Sequence, residues 1–255
     1  MTYQHIETAF EEGLGTVTLN RPPVNILNIA MMEEINHCLE SWQGKKDLKV
    51  VLFNAKGKCF SAGVDVGEHM GDLAPKMIEA FHKMFRLMDR LGVITVSSVF
   101  SSCLGGGCEL AVFSDLVIAA ENSKIGQPEI QVGVFPPIAA YIMPRIIGRK
   151  EALELILSGK IVSAAEAKGM GLINKVVSEE DLEAETNLFL KPYLKLSAEV
   201  LRKTKKAIIA GLRDDFEPAL RMIEDIYLQE LMHTADAQEG LKAFLEKRKP
   251  VWKNE

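Results

Sequence analysis

The chain has 255 residues, 47% of them hydrophobic, and a formal net charge of −5. A chain of this length can bury about three quarters of the surface that its unfolded form exposes, so we expect one or two domains that fold without disulfide bonds. The acidic balance argues against a nucleic-acid-binding face, and no apolar run approaches the ~18 residues of a membrane span. Residues 1–10 lack the apolar core of a secretory signal, so we predict a cytoplasmic protein whose four cysteines are reduced and buried.

The first half of the chain predicts an α/β organisation, because β-prone segments alternate with segments of helical spacing. Asn28 has the side chain of a helix N-cap. In chain order, the predicted elements are the strand 15–19, the helix 29–42, the strand 50–53, the helix 75–91, the strand 93–100, a helix that opens at the glycine triplet 105–107 and ends near 113, and the strand 116–120.

The second half becomes mostly helical after Pro144. We therefore expect a β-rich core over residues 1–190 and a helical C-terminal region over 191–255. The basic run 202–206 is interpreted as the solvated face of one of its helices. The predicted helices are 149–158, 163–168, 180–195, 197–211, 214–233 and 236–247, and the one predicted strand is 173–177.

Two glycine-bearing loops carry the first chemical signal. Residues 61–65 follow one predicted strand, and the triplet 105–107 follows another. Ligands of α/β proteins bind near the carboxyl edge of the sheet, so two backbone N–H groups from these loops would suit an oxyanion hole. Each loop is also compatible with a tight turn that merely needs glycine. The triplet is not a dinucleotide-binding fingerprint, because Leu110 stands where the third glycine would be.

Two glutamates lie close to these loops in the sequence. Glu109 follows the triplet on the same predicted helix, and Glu129 follows Pro128. Taken singly, Glu109 also suits a carboxylate that stabilises a helix dipole, and Glu129 suits a surface loop. Together with two N–H donors, however, a pair of carboxylates has the composition of an acid–base site. The combination predicts an enzyme.

Two other motifs have the spacing of metal ligands. Glu34-x-x-His37 and Glu79-x-x-His82 match the ligand spacing of di-iron helix bundles. Predicted core strands separate them, and no four-helix bundle is predicted, so we expect no metal. The methionine-rich stripe over 77–88 is interpreted as a packed helix face rather than a flexible pocket.

Six segments together resemble the crotonase (enoyl-CoA hydratase/isomerase) superfamily over nearly the whole chain. They are 20–22, 59–65, 103–111, 126–130, 164–173 and 243–249. The resemblance implies an α/β fold, a ββα superhelix with a helical C-terminal region that builds homotrimers or hexamers of two trimers. It also implies an acyl-CoA thioester substrate and no separate cofactor or metal, because coenzyme A is part of the substrate.

The same resemblance assigns roles to individual residues. The backbone N–H groups of Val64 and Gly106 would hold the thioester oxygen, and Glu109 and Glu129 match the two catalytic carboxylates of the hydratase branch. The residues that would line the path of the acyl-CoA are Val24, Ala62, Asp65, Val66 and Pro136, with Phe244 and Lys247 at the nucleotide end, from this subunit or a neighbouring one.

Three positions depart from the family pattern. Residues 136–142 replace a glycine-rich segment of straight-chain hydratases and begin with two prolines, so the position of the reacting water is not carried over. Gly67 stands where many relatives have a lysine that meets a coenzyme A phosphate. Val64 replaces a smaller alanine, which a backbone donor tolerates. The segments 63–69 and 135–140 resemble the branch that acts on alicyclic CoA esters in anaerobic aromatic degradation, and a rigid, glycine-poor wall suits a flat ring.

The sequence therefore predicts a hydro-lyase that acts on an alicyclic conjugated enoyl-CoA or dienoyl-CoA. One alternative is a short-chain enoyl-CoA hydratase or isomerase of fatty-acid oxidation. An alternative of another class is a catalytically silent scaffold of the same fold that binds RNA or a protein partner. A dinucleotide-dependent oxidoreductase is disfavoured by the missing fingerprint.

Overall fold

The structure is a computed structural model that describes residues 2–196, 198–211 and 216–251. Its strands are β1 (Ile6–Glu11), β2 (Leu14–Leu19), β3 (Val50–Ala55), β4 (Ile94–Val99), β5 (Ser102–Leu104), β6 (Leu116–Ala120), β7 (Lys124–Gly126), β8 (Ile161–Ser163) and β9 (Lys175–Val177). Its α-helices are α1 (Ile29–Ser41), α2 (Leu73–Leu91), α3 (Gly106–Phe113), α4 (Pro137–Ile146), α5 (Arg149–Ser158), α6 (Ala164–Met170), α7 (Leu182–Leu194), α8 (Ala198–Gly211), α9 (Phe216–Asp225) and α10 (Ala235–Leu245).

The main sheet has six strands in the order β1-β2-β3-β4-β6-β9. β1 pairs antiparallel with β2, and the later neighbours all run parallel. β3 shows how the sheet is covered, because its side chains alternate between two cores. Val51 and Phe53 pack into the larger core with α1 and α2, whereas Val50 and Leu52 pack against Leu190 of α7. Helices therefore cover both faces of the sheet, as expected for parallel strands.

A second sheet of three short strands, in the order β5-β7-β8, lies at the carboxyl end of β4 and β6. β5 pairs parallel with β7, and β7 pairs antiparallel with β8. None of the helices in the described ranges combines the length and hydrophobicity that crossing a bilayer requires.

Most predicted elements are confirmed, including the cap of α1, where the Asn28 side chain accepts from Met31 N at 3.1 Å. The expectation of one strand after Pro144 is wrong, because β8 also forms there. The predicted helix 214–233 is interrupted: α9 ends at Asp225, a π-helical turn spans Ile226–Glu230, and a 3-10 turn spans Leu231–His233. The predicted helix starts at 197 and 214 lie outside the described residues.

The basic run 202–206 is not simply a solvated face. Arg202 donates to the carbonyl oxygens of Leu48 and Lys46 at 2.9 and 2.7 Å. Lys205 donates to Val93 O and to the Asp115 carboxylate at 2.8 and 2.6 Å. The prediction is wrong for these two residues, since their long side chains attach α8 to the turns that precede β3, β4 and β6.

The C-terminal helices share the larger core with the sheet. Leu220 of α9, Tyr227 of the π-helical turn and Leu241 of α10 are buried in the same cluster as Val51 and Phe53. Gly240 allows α10 to approach the backbone at Val132 closely, because a Cβ at Gly240 would lie 2.1 Å from Val132 O. The boundary at residue 190 remains a prediction.

Asn25 ties together the two loops at the carboxyl ends of β2 and β3. It is fully buried and has a left-handed φ of 51°. Its Oδ1 accepts from Arg21 N at 2.8 Å, and its Nδ2 donates to Lys56 O and Cys59 O at 2.8 and 2.9 Å. Its own carbonyl accepts from the Ser61 hydroxyl at 2.8 Å. One side chain therefore fixes the loop that leads to residues 61–64.

We expect Asn25→Ala to lower the free energy of unfolding by about 2–4 kcal/mol, because buried carbonyl oxygens lose their donor. Urea denaturation measures this change. The matched control is Asn122→Ala, whose exposed amide donates to Glu179; it should change stability by less than about 0.5 kcal/mol. Equal effects of the two substitutions would contradict this role of Asn25.

Candidate active site

Three chain segments run side by side and deliver the site residues. β5 and β7 pair with Leu104 opposite Gly126. On the other side of β5, Ser61 forms a parallel bridge with Cys103, in which Ser61 N donates to Ser102 O at 3.1 Å and Leu104 N donates to Ser61 O at 3.0 Å. Because all three segments point the same way, the loops that follow them, 62–65, 105–107 and 127–129, lie next to one another.

The glycine triplet permits close contact between these loops. A Cβ on Gly106 would lie 2.4 Å from Val64 Cγ2, and one on Gly107 would lie 2.4 Å from Ser61 Cβ. Gly105 has a left-handed φ of 51°, and a Cβ there would lie 3.0 Å from Glu129 Oε1. Glycine is therefore required at all three positions by close packing and, at Gly105, by backbone conformation.

The backbone N–H groups of Val64 and Gly106 are unpaired within the part of the chain that the structure describes. The neighbours of Val64 form the hydrogen bonds of its bridge: Leu27 N donates to Gly63 O, and Asp65 N donates to Leu27 O, both at 2.9 Å. Gly106 is the first residue of α3, where N–H groups have no partner within the helix. Two adjacent donors therefore remain available to an anionic oxygen.

Both residues line a cavity of about 310 Å³. The predicted site residues that line it are Ala62, Val64, Val66, Gly106, Glu109, Glu129, Pro136 and Phe244. Met77, Ile78 and Phe81 form an apolar wall from α2, so the start of the methionine stripe faces the cavity while Met84 and Met88 are packed in the core. The volume and the largely apolar lining suit a small acyl group.

Three predicted binding residues lie outside the cavity lining. The Val24 carbonyl accepts from Ala62 N at 3.0 Å and so supports the loop from behind. The Asp65 carboxylate caps Gly67 N at 3.0 Å and lies 4.0 Å from Arg21. Lys247 is exposed beyond the end of α10. Their contact with coenzyme A remains a prediction.

Glu109 is buried at the back of the cavity, with 2% of its surface exposed. Its Oε1 accepts hydrogen bonds from Ile138 N at 2.6 Å and from Ala139 N at 2.9 Å. These donors belong to the first turn of α4, so the carboxylate also lies at the positive end of a helix dipole. Pro137 occupies the first position of that helix, where a missing N–H costs nothing.

Glu129 approaches from the other side, in a 3-10 turn that spans Pro128–Val132. The side-chain amide of buried Gln127 faces three acceptors, so we assign its nitrogen to this position, where it donates to Gly105 O at 3.3 Å and to the two Glu129 carboxylate oxygens at 3.1 and 3.3 Å. Gln127 therefore fixes the second carboxylate against the glycine triplet.

Burial makes both carboxyl groups weaker acids than usual. It raises the pKa of Glu109 to about 7, although the N–H groups of Ala139 and Ile138 oppose the shift. Burial, and then the charge of Glu109, raise the pKa of Glu129 well above its ordinary value. Two neighbouring carboxyl groups in an apolar cavity share a proton near neutral pH. One can then accept a proton while the other donates one.

Several residues of the site were missed at the sequence level. The N–H groups of Ile138 and Ala139 follow from a helix start that the Pro136-Pro137 pair signals, since proline favours the first turn of a helix. Gln127 lies two residues before Glu129 but carried no signal of its own. His69 lies within the segment 63–69 but was given no role, and Tyr227 lines the cavity from a distant segment to which no local pattern points.

The two motifs with metal-ligand spacing have other partners. The Glu34 carboxylate accepts from Gln4 N and His5 N, both at 2.8 Å, and His37 pairs with the Tyr3 hydroxyl at 2.8 Å. His82 pairs with Glu224 at 2.9 Å and thereby joins α2 to α9. In the described ranges, no three His, Cys, Asp or Glu side chains cluster as a metal site would require.

Comparison with known proteins points to one family. The family model for Enoyl-CoA hydratase/isomerase matches residues 9–255. A cyclohexa-1,5-dienecarbonyl-CoA hydratase of Thauera aromatica is 38% identical over 92% of this chain and 91% of its own. A probable enoyl-CoA hydratase of Mycobacterium bovis is 35% identical over 98% of both chains.

The fold agrees as well. A crystal structure of an enoyl-CoA hydratase from Mycobacterium avium subsp. paratuberculosis superposes with a TM-score of 0.89, at 27% identity, over 99% of this chain and all of the other. The predicted crotonase-like α/β fold is confirmed.

The raised pKa of Glu109 predicts how stability depends on pH. The carboxyl group keeps its proton up to a pH of about 7 in the folded state, against an ordinary value of 4.5. The folded state therefore binds more protons between these values, so its stability falls as pH rises through them. Replacing Glu109 by glutamine should remove a loss of about 1–3 kcal/mol between pH 5 and pH 8.

Urea denaturation of the wild type and Glu109→Gln at both pH values measures this difference. Glutamine can still accept from Ile138 N and Ala139 N through its amide oxygen, so the helix start is preserved. Glu79→Gln, on the exposed face of α2, is the control and should keep the wild-type pH dependence. An unchanged pH dependence in Glu109→Gln would contradict the assignment.

Proposed function

The chain belongs to the enoyl-CoA hydratase/isomerase family, and on that premise we propose that it adds water to, or removes it from, an alicyclic conjugated enoyl-CoA or dienoyl-CoA. A cyclohexa-1,5-diene-1-carbonyl-CoA hydratase acting in anaerobic aromatic degradation is the specific form of this proposal. The observation that supports it is a single cavity that contains two N–H groups without a partner among the described residues, the buried carboxyl group of Glu109 and the half-buried carboxyl group of Glu129.

In the proposed reaction, the N–H groups of Val64 and Gly106 hold the thioester oxygen. Addition of water moves an electron pair onto this oxygen, and each donor can contribute about 3–4 kcal/mol to the stability of the resulting enolate. The ionised carboxylate of the pair takes a proton from water as the water oxygen bonds to an alkene carbon. The protonated partner delivers its proton to the carbon beside the thioester or, in a conjugated diene, to the carbon at the far end of the diene. Transfer of the accepted proton between the two groups then restores the starting state.

The shape of the cavity supports a cyclic substrate. Its walls near the carboxyl pair come from Phe135, Pro136 and Pro137, which precede and begin α4, and from Phe81 of α2. Prolines and ring side chains have few conformations, so they favour a flat, rigid acyl group over a flexible chain. The hydratase of T. aromatica, named for a cyclic dienoyl-CoA, is 38% identical to this chain.

Several further features belong to the same proposal. Coenzyme A is part of the substrate, so the reaction needs no separate cofactor or metal. We propose a homotrimer, or a hexamer of two trimers, in the cytoplasm. Phe244 and Lys247 would meet the nucleotide end of coenzyme A, and the path would pass Val24 and Asp65.

We predict that Glu109→Gln and Glu129→Gln each lower kcat by about 10²–10⁴-fold, because each removes one acid–base group. Steady-state hydration of the preferred enoyl-CoA measures the loss, and Glu121→Gln at the exposed end of β6 serves as the control. Near wild-type turnover of either site variant would show that the proposed acid–base pair is wrong.

Substrate preference is tested with cyclohexa-1,5-diene-1-carbonyl-CoA, cyclohex-1-ene-1-carbonyl-CoA and crotonyl-CoA in deuterated water. We expect kcat/KM for a cyclic substrate to exceed that for crotonyl-CoA by at least about tenfold. Product mass and deuterium position then give the carbons that received oxygen and proton. A preference for crotonyl-CoA would favour the short-chain alternative. Tight RNA binding without acyl-CoA turnover would favour the silent scaffold.

A further inference from the structure

Tyr227 brings a hydroxyl group to the cavity from the C-terminal helices. It lies in the π-helical turn Ile226–Glu230, is 1% exposed, and lines the same cavity as Glu109 and Glu129. Its ring meets Phe135 edge-on, with centroids 5.2 Å apart. Among the residues that the structure describes, none forms a hydrogen bond with its hydroxyl. A buried tyrosine usually has such a partner, so the hydroxyl requires an explanation.

The hydroxyl remains a donor at all physiological pH values. Burial, followed by the negative charges of Glu109 and Glu129, raises the pKa of Tyr227 above its ordinary value. The field of the two carboxylates therefore acts on this group and favours the protonated form.

The reacting water needs a donor of this kind. A water molecule between two carboxyl groups that share one proton can donate to the ionised group and accept from the protonated one, which leaves a lone pair for a second donor. The first turn of α4 offers no donor, because Pro137 has no N–H and the N–H groups of Ile138 and Ala139 both point at Glu109. The amide of Gln127 faces Glu129 and Gly105.

The remaining side-chain donors of the cavity are also engaged. His69 Nδ1 lies 2.9 Å from Asp65 O, an acceptor, so this nitrogen carries the proton and Nε2 has none. Burial lowers the pKa of His69 and so favours this neutral form. The Gln131 amide donates to Gly159 O at 3.3 Å. Apart from the proton that the two carboxyl groups share, Tyr227 is left as the side-chain donor without an acceptor among the described residues that line the cavity.

We propose that the Tyr227 hydroxyl donates a hydrogen bond to the oxygen that is added or removed, as water before the reaction and as the product hydroxyl after it. This inference rests on the proposed hydration of a cyclic enoyl-CoA. The proposed hydrogen bond makes Tyr227 a third protic group of the site. It fixes the water oxygen at the side of the substrate ring that faces Phe135.

Tyr227→Phe tests the proposal with little disturbance, because it removes one oxygen and keeps the ring against Phe135. We expect kcat for the preferred cyclic enoyl-CoA to fall by about 10–100-fold, KM to stay within about twofold, and the melting temperature to stay unchanged. A purely space-filling role of Tyr227 would leave kcat as it is.

Tyr193→Phe is the matched control. Tyr193 lies on α7, packs against Phe189 at a centroid distance of 6.2 Å, and belongs to the core on the other face of the sheet. The Tyr193→Phe variant loses a tyrosine hydroxyl far from the cavity, so its kcat should equal that of the wild type.

A binding measurement separates this proposal from the proposed function. Benzoyl-CoA and 2-hydroxybenzoyl-CoA have flat rings that neither add nor lose water. We expect the wild type to bind the hydroxylated thioester about fivefold more tightly than Tyr227→Phe does, with benzoyl-CoA bound equally by both. Calorimetric titration gives the four dissociation constants.

The outcomes are distinct. Loss of both kcat and the hydroxyl preference in Tyr227→Phe supports the proposal. Full kcat, or equal binding of 2-hydroxybenzoyl-CoA by both proteins, overturns it while hydratase activity stands. If the wild type hydrates no enoyl-CoA, the proposed function fails, and the binding comparison alone decides whether Tyr227 contacts a hydroxyl oxygen.

Discussion

The two hydrogen bonds from the first turn of α4 to Glu109 are the interaction on which the site depends. A carboxylate buried without donors would cost several kcal/mol, and the start of α4 supplies both donors and a favourable dipole. The same contact sets where α4 begins, and therefore where Pro136 and Pro137 lie. This interaction thus fixes the wall of the cavity, and it opposes the rise that burial causes in the pKa of Glu109.

The second constraint is the close contact between the glycine triplet and the loop at Val64. With side chains excluded from Gly106 and Gly107, two chain segments approach closely enough for their outward N–H groups to converge on one point. Neither N–H enters a sheet hydrogen bond, because the parallel bridges on either side use the neighbouring atoms. The small second sheet therefore serves the chemistry as well as the core, to which Cys103, Ile125 and Val162 belong. It aligns the loops and stops one residue before each of them.

Local patterns in the sequence were sufficient for most of the fold and for the centre of the site. Asn28, the glycine triplet and the buried strand 50–53 each act over a few residues, so their consequences were predictable. β5, β7 and β8 have three residues each and gave no periodic signal, although their pairing is what joins Glu109 to Glu129. Arg202 and Lys205 looked like solvated charges, because nothing in the local sequence shows that they donate to backbone carbonyl oxygens of distant turns. Tyr227 escaped notice for the same reason, since its environment is built from segments far away in the chain.

Two parts of the chain supply different residues to the cavity. Glu109, Glu129, Val64 and Gly106 come from the sheet-bearing part of the chain, where hydrogen bonds fix each of them within a few residues of a strand. Tyr227, Leu241 and Phe244 come from the C-terminal helices, which are held against the site by packing such as that of Gly240 on Val132. Packing contacts tolerate substitution of similar volume better than buried hydrogen bonds do. A common acid–base centre can therefore be kept while the C-terminal wall changes, and the choice of acyl group is expected to lie there and in the start of α4.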